Sequence, residues 1–586
     1  NAIIDYFMLN DIFDCLMFVI QQKVGNNNNN NNSNSASNTS NTSGSGEKSS
    51  EENEESNRHS NNNHNNNNRG FDMLRKRTVM KMKKNALVCL SILINYRKYE
   101  NMKQNSYLSR VKHLEEPSIL LDLSQVITQY LTVWNLSFEK TIESQSSILN
   151  YVWNRLFSSA SSSVTSASSS GSQSGGDDVK AKDVKQVSAM LLVLYELIHL
   201  NDNFVGSLTR SLSSIAASEE NERRIQRQTS SDVMDRLHEQ STGGNVTHRA
   251  CPLILQQFLR YCSVLFHEPR YITHYIMKDN VQNTSSTSGT SGNSGQESNL
   301  DISTQYYAHF CLIIILCLID KKNFKSFLFD QNVKLNFDIF VKDRRNQFTV
   351  QSCEHHGTLA KVVFELLVHF LNHHMARHHF SMDLYAKALS ATHAMLTLSK
   401  KFRVRFETDW RLLWTSLVRI CEVIANGNCD RDKAKACGIL GQVLTIFNFG
   451  ILKGDLFFPS RTEQEEMIYQ LIYHRKVFDQ LSDWMERNLK KKNPVMGLLQ
   501  NVAIIISDIV SQLELKHGYS YPSETEVLNI IRQVVPEINI VKIAGLEHRE
   551  DYLENPNEIP FFNRIMRLFV HQVRTGIVDA TFKNAS

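Results

Sequence analysis

The sequence predicts an all-α protein, a long solenoid of stacked helices interrupted by disordered low-complexity insertions. Apolar residues recur at three- and four-residue steps along most of the chain. Sustained strand-like alternation is nearly absent. Only 9 prolines occur in 586 residues, so little in the chain forces helices to stop. A chain of this length exceeds one compact core, which leaves several domains or one elongated array. Many medium-length helices with tolerated insertions suit stacked helix pairs or triplets. No fixed repeat period is visible, so a helical bundle remains compatible with composition.

Taken in order, Ile3, Ile4, Phe7 and Ile12 open a helix over 2–22. Because this helix is under way at Asn1 and no initiator Met is present, the chain reads as the later part of a longer protein. Further helices are expected over 72–96, 117–134, 184–200, 250–266, 303–319, 357–375, 407–425, 432–450, 463–489 and 556–576. Leu384, Ala388, Ala391, Met395 and Leu398 fall on one helical stripe that must pack against neighbours. Leu498, Val502, Ile505, Ile509 and Leu513 repeat the arrangement. Residues 347–351 (Gln-Phe-Thr-Val-Gln) alternate briefly, too little by themselves to predict a sheet.

Polar stretches at 25–69, 158–176, 217–244 and 283–298 offer too little apolar area to offset the entropy lost on ordering. They read as spacers on the edges of the array.

Hydrophobic residues make up 41% and charged residues 21%, enough for a large core. The net charge of +4 gives no support for nucleic acid as a partner. The 10 cysteines are scattered without a CxxC pair, which fits a reducing, cytoplasmic compartment. The strongest membrane-span candidate, Phe310 to Ile319, is about half the roughly 20 residues a span needs and reads as a buried core helix.

A search for chemistry finds no phosphate loop GxxxxGK[ST], no GxSxG, no HExxH, and no GxGxxG between a strand and a helix. No catalytic residue, cofactor or small-molecule substrate is expected. The His run His369, His373, His374, His378 and His379, with Cys353, His355 and His356 upstream, contains i, i+4 pairs able to share a metal. It continues the apolar stretch Val362 to Leu371 and lacks a second spaced ligand pair, so no metal is assigned. Basic clusters at Arg75 to Lys84, Lys400 to Arg405 and Lys490 to Lys492 read as solvated helix ends, with attraction to anionic lipid as the alternative. Trp410 and Trp414, one turn apart, read as core. Tyr96, Arg97 and Tyr99, at a helix end beside a polar loop, are the candidate protein-binding residues, since Tyr and Arg are enriched at binding hot spots.

Five blocks in order resemble the armadillo-like helical domain-containing protein 3 family: Ala86 to Glu100, Leu194 to Phe204, Met382 to Tyr385, Arg403 to Phe406 leading into Trp410 to Trp414, and Gly454 to Pro459. The region from about 301 onward resembles the family's C-terminal domain, which implies a helical repeat region over 1–300 carrying the polar insertions and a C-terminal helical domain over 301–580. The resemblance implies an armadillo-like helical solenoid that acts as a cytoplasmic scaffold, peripherally associated with the Golgi membrane. It implies binding of phosphatidylinositol 4-kinase III beta and a Golgi Arf exchange factor, in support of phosphatidylinositol 4-phosphate supply, Golgi maintenance and secretion. The alternative is a generic armadillo-type peptide-binding carrier, which would show regular Trp and Asn ladders; only 5 Trp are present.

Overall fold

The computed structural model describes residues 12–22, 75, 78–95, 105–157, 187–209, 249–267, 294–342, 347–374, 381–427, 432–490, 493–518 and 522–585. The expected insertions at 25–69, 158–176 and 217–244 lie outside these residues. So does 283–293, while Ser294 to Ser298 open a helix. The described chain is overwhelmingly helical, as the periodicity predicts. It divides into two compact units, 1–126 and 127–586.

In the first unit, α1 (Ile12–Gln21) buries Phe13, Met17 and Ile20. Helix α2 (78–95) buries Leu87, Leu90 and Ile94. Asn105 caps α3 (Ser106–Lys112) by accepting from Leu108 N at 3.1 Å, and its amide donates to the Ile94 carbonyl at 2.7 Å. One side chain thus satisfies the start of one helix and the end of another. Lys83 and Lys84 belong to a basic cluster read above as solvated, yet both are buried. Helix α4 begins here and runs Pro117–Phe157, well past the expected end at 134.

The second unit is a two-layered helical array. One layer contains α5 (Val187–Leu200), α8 (Ser294–Asp320), α11 (Met382–Phe402), α13 (Lys433–Lys453) and α16 (Pro494–His517), each packed on the next. The second contains α7 (Leu253–His267), α10 (Leu359–His374), α12 (Trp410–Ala425), the pair α14 (Arg461–Tyr473) and α15 (Arg475–Asn488), and α17 (Glu524–Val534). Contacts of α7 with α8, α10 with α11, α12 with α13, and α16 with α17 join the layers. Helices α6 (Asp202–Thr209) and α9 (Lys322–Leu328) pack on each other and on α5 and α8 respectively, and α18 (Ile559–Ala585) packs on α5 and α8. The expected helix over 463–489 is two helices that break at His474, whose backbone leaves helical geometry without any Gly or Pro.

The predicted stripes are the interior. Ala388, Ala391 and Met395 of α11 and Val502, Ile505 and Ile509 of α16 are fully buried. So is every residue from Phe310 to Ile319, the former span candidate. Residues 433–456 and 494–516 are long and apolar enough to cross a membrane. Both pack within the array, and a buried amide pair joins them: Asn501 Nδ2 donates to Asn448 Oδ1 at 2.8 Å.

The reading of 347–351 as too short for a sheet needs correction. Strand β4 (Phe348–Ser352) pairs antiparallel with β3 (Asp338–Lys342), Phe340 opposite Val350. A two-stranded hairpin is marginal alone; this one rests on α7, where the Ser263 hydroxyl accepts the Phe340 N–H at 3.0 Å. Two-residue strands β1 (Arg249–Ala250) and β2 (Val333–Lys334) pair in parallel nearby.

Candidate interaction surface and the histidine cluster

Two of the five blocks quoted above converge on one aromatic core. Phe406 stacks on Phe364 at 5.1 Å, and Trp410 meets Phe458 edge-on at 4.8 Å. Trp414 lies 5.9 Å from the same Phe458 ring, and Phe457 packs on Phe449 at 5.2 Å. Arg403 ends α11 in the left-handed conformation at φ 57°, and that turn carries Arg405 onto the carbonyls of Asp455 and Pro459 at 3.1 and 3.2 Å. The chain from Gly454 to Pro459 is thereby clamped against the N-terminal turn of α12. A third block, Leu194 to Phe204, buries Tyr195 and Phe204, while Asn201 caps α6 through Phe204 N at 2.8 Å.

Outside this core, α12, α14 and α17 bound a surface groove of about 290 Å³. Ser460 and Glu463 form the capping box that starts α14. Met467, Ile468 and Leu471 then face the core, which leaves Glu466, Tyr469 and Tyr473 on the opposite side. Buried Glu465 takes Arg532 Nε at 2.8 Å and Arg461 at 3.5 Å, and Arg411 reaches Glu466 at 3.5 Å. Beside these charges Tyr469 and Tyr473 stack at 6.1 Å, and His474 meets Tyr473 edge-on at 4.9 Å. Tyr473 is 70% exposed. Burial, and then the Glu524 charge, push the Tyr469 phenol upward, so it stays protonated and can donate a hydrogen bond. A half-exposed tyrosine pair flanked by Arg and Glu has the chemistry of a protein-recognition site.

The residues singled out for binding, Tyr96, Arg97 and Tyr99, lie outside the described residues. The tyrosine pair beside the groove was not found from the sequence, because Tyr469 and Tyr473 look like ordinary helix positions until the inward face is known. Trp410 and Trp414 are core, as read. Lys400 pairs with Glu547, and Arg405 is spent on the clamp.

The histidines separate. His356 contacts Glu365 at 2.9 Å, His374 turns to the Leu265 carbonyl at 3.3 Å, and His355 is exposed. His378 and His379 lie outside the described residues. His369 and His373 instead meet His267, about a hundred positions earlier at the end of α7. Its place at the end of an apolar helix is the one sequence signal it carries.

The fold and this surface define a class: an all-helical, armadillo-like array whose described features suit binding. A family profile described as "Armadillo-like helical domain-containing protein 3, C-terminal" matches residues 357–575, the span holding the aromatic core and the groove. The chain is similar to "Armadillo-like helical domain-containing protein 3" of Danio rerio, 26% identical over 519 residues, covering 84% of this chain and 67% of that protein. It is similar to the Homo sapiens protein of the same name, 26% identical over 526 residues, covering 85% and 68%. The Xenopus laevis protein is 25% identical over 524 residues, covering 85% and 68%. Residues 357–575 thus match the C-terminal domain of the armadillo-like helical domain-containing protein 3 family, and the chain is similar to proteins of that name over most of its length. No solved structure matches it.

Proposed function

We propose that this chain is a non-enzymatic scaffold, peripherally associated with the cytoplasmic face of Golgi membranes. It binds phosphatidylinositol 4-kinase III beta and an Arf guanine-nucleotide exchange factor, and so supports phosphatidylinositol 4-phosphate supply, Golgi maintenance and secretion. The observation that carries the reading is the ordered similarity to the family over most of the chain, with two of its quoted blocks meeting in one core beneath a charged groove that a tyrosine pair adjoins. A rigid array holding such a surface has binding energy as its output. The carrier alternative needs Trp and Asn ladders at the surface, whereas Trp134, Trp410, Trp414, Trp484, Asn448 and Asn501 are all buried.

Co-precipitation of the lipid kinase and the exchange factor with tagged full-length protein, compared between wild type and the Tyr473→Ala/Arg411→Glu variant, tests the reading. Recovery with wild type and at least about a tenfold loss with the variant is expected if the groove is a hot spot. Failure of wild type to recover either protein removes the proposed partners; equal recovery with the variant removes the groove.

A further inference from the structure

His267 closes the last turn of α7, where its Nδ1 lies 2.7 Å from the Ser263 carbonyl. A carbonyl only accepts, so the ring proton sits on Nδ1 and Nε2 carries the lone pair. That Nε2 is buried and has no hydrogen-bond partner, and His369 Nδ1 is likewise buried without one. His369 and His373 stand one turn apart on α10, with ring centroids 4.7 and 5.1 Å from His267 and 6.0 Å from each other. One nitrogen from each ring lies within 4.8 Å of the other two. Burial pushes His267 well below the ordinary histidine range and lowers His369, which keeps both in the neutral form a metal needs.

We propose that His267, His369 and His373 form a three-histidine site for a borderline divalent transition-metal ion, with zinc the preferred occupant. Three imidazoles are the donor set such ions favour, and tetrahedral zinc with Zn–N near ~2.0–2.1 Å puts its donors ~3.3 Å apart. The half-buried His369 and His373 close that gap by side-chain rotation, while His267 is held from behind by the Ser263 carbonyl, the kind of outer-shell bond that fixes a ligand's tautomer. Ser263 is itself pinned, its hydroxyl donating to the Arg260 carbonyl at 2.6 Å. The charges of Glu365 and Asp409 favour a cation at His369, against the opposing charge of Lys342 at His267. With one ring buried and two half-exposed, the fourth position faces outward and takes water or an added ligand. The ion cross-links the end of α7 to α10 beside the hairpin, whose Phe348 ring lies 6.4 Å from His267.

Full-length protein stripped with a chelator and dialysed, then titrated calorimetrically with Zn²⁺ and spectroscopically with Co²⁺, tests the site. One equivalent of Zn²⁺ and the visible absorption of tetrahedral Co²⁺ are expected. Since losing even an outer-shell partner weakens a site about 10- to 100-fold, His373→Ala and His369→Gln should each weaken binding at least about tenfold, with circular dichroism unchanged. His355→Ala, at an exposed neighbour, should bind as wild type does. Wild type binding less than about a tenth of an equivalent, or unchanged affinity in the His369→Gln/His373→Ala double variant, would overturn the proposal.

Discussion

Replacing Asn501 with Ala should release the extended segment that follows α17. Asn501 is fully buried on α16 and makes three bonds: Nδ2 to Asn448 Oδ1 at 2.8 Å, Nδ2 to the Val541 carbonyl at 2.9 Å, and Oδ1 from the Val541 N–H at 2.9 Å. At about 1 kcal/mol net for each bond the loss approaches 3 kcal/mol. Val541 is 44% exposed, so water can take over part of what its backbone loses. Asn448 Oδ1 sits in a fully buried residue. The expected loss is therefore about 2–3 kcal/mol, felt first as local opening around Val541. Because several packed elements need not unfold together, native-state hydrogen exchange is the better assay than a melting curve. At a factor of ten per 1.4 kcal/mol, exchange of the Val541 amide should rise about 30- to 150-fold, while amides in α11 stay protected. An exchange rate at Val541 within about threefold of wild type would refute the view that one buried amide clamps this segment.

Asp320, at the end of α8, pairs with Arg549 and accepts the Tyr552 N–H at 2.6 Å; Asp320→Ala leaves Arg549 only Asp551 at 3.7 Å and should lower the unfolding free energy measured by chemical denaturation, by less than the about 3–5 kcal/mol of a fully stranded buried pair, with Asp320→Asn costing less still. A Cβ on Gly454 would stand 2.4 Å from the Phe458 ring, so Gly454→Ala should destabilise by about 1–3 kcal/mol, and Phe458→Leu in the same chain should relieve part of that. His309, buried against Phe561 at 4.3 Å, has its pKa pushed down to about 4, mainly by burial. A folded-state pKa below the unfolded value means the unfolded chain binds the proton more readily, so stability is full above about pH 6.5 and falls as pH drops toward 4. This group alone contributes about 3 kcal/mol of that fall, which urea midpoints at pH 7 and pH 4.5 would reveal; His309→Leu should flatten the dependence.

Long helices were legible because many turns repeat the same apolar spacing; Leu384 to Leu398 could be placed before any coordinates. Helices of seven or eight residues, Ser106–Lys112, Asp202–Thr209 and Lys322–Leu328, were not, since two turns contain too few repeats to stand out. The break at His474 lacks a Gly or Pro, so its sequence reads straight through. Asp338 to Lys342 gave no strand signal strong enough to partner 347–351, because the support for the hairpin comes from α7 far along the chain. The two side-chain groupings of the structure were hidden for the same reason in sharper form. His369 and His373 were visible as a spaced pair, but the third histidine comes from another helix. The Tyr469–Tyr473 face could not be separated from core aromatics until Met467, Ile468 and Leu471 had shown which side points inward.

The central claim is that the protein works by binding, and the most direct test is quantitative mass spectrometry of what full-length tagged protein captures from cells at low salt. Near-stoichiometric recovery of phosphatidylinositol 4-kinase III beta or the Arf exchange factor is expected with wild type, reduced with the groove variant. Recovery of nuclear transport cargo in their place, or of no stoichiometric partner, would contradict it.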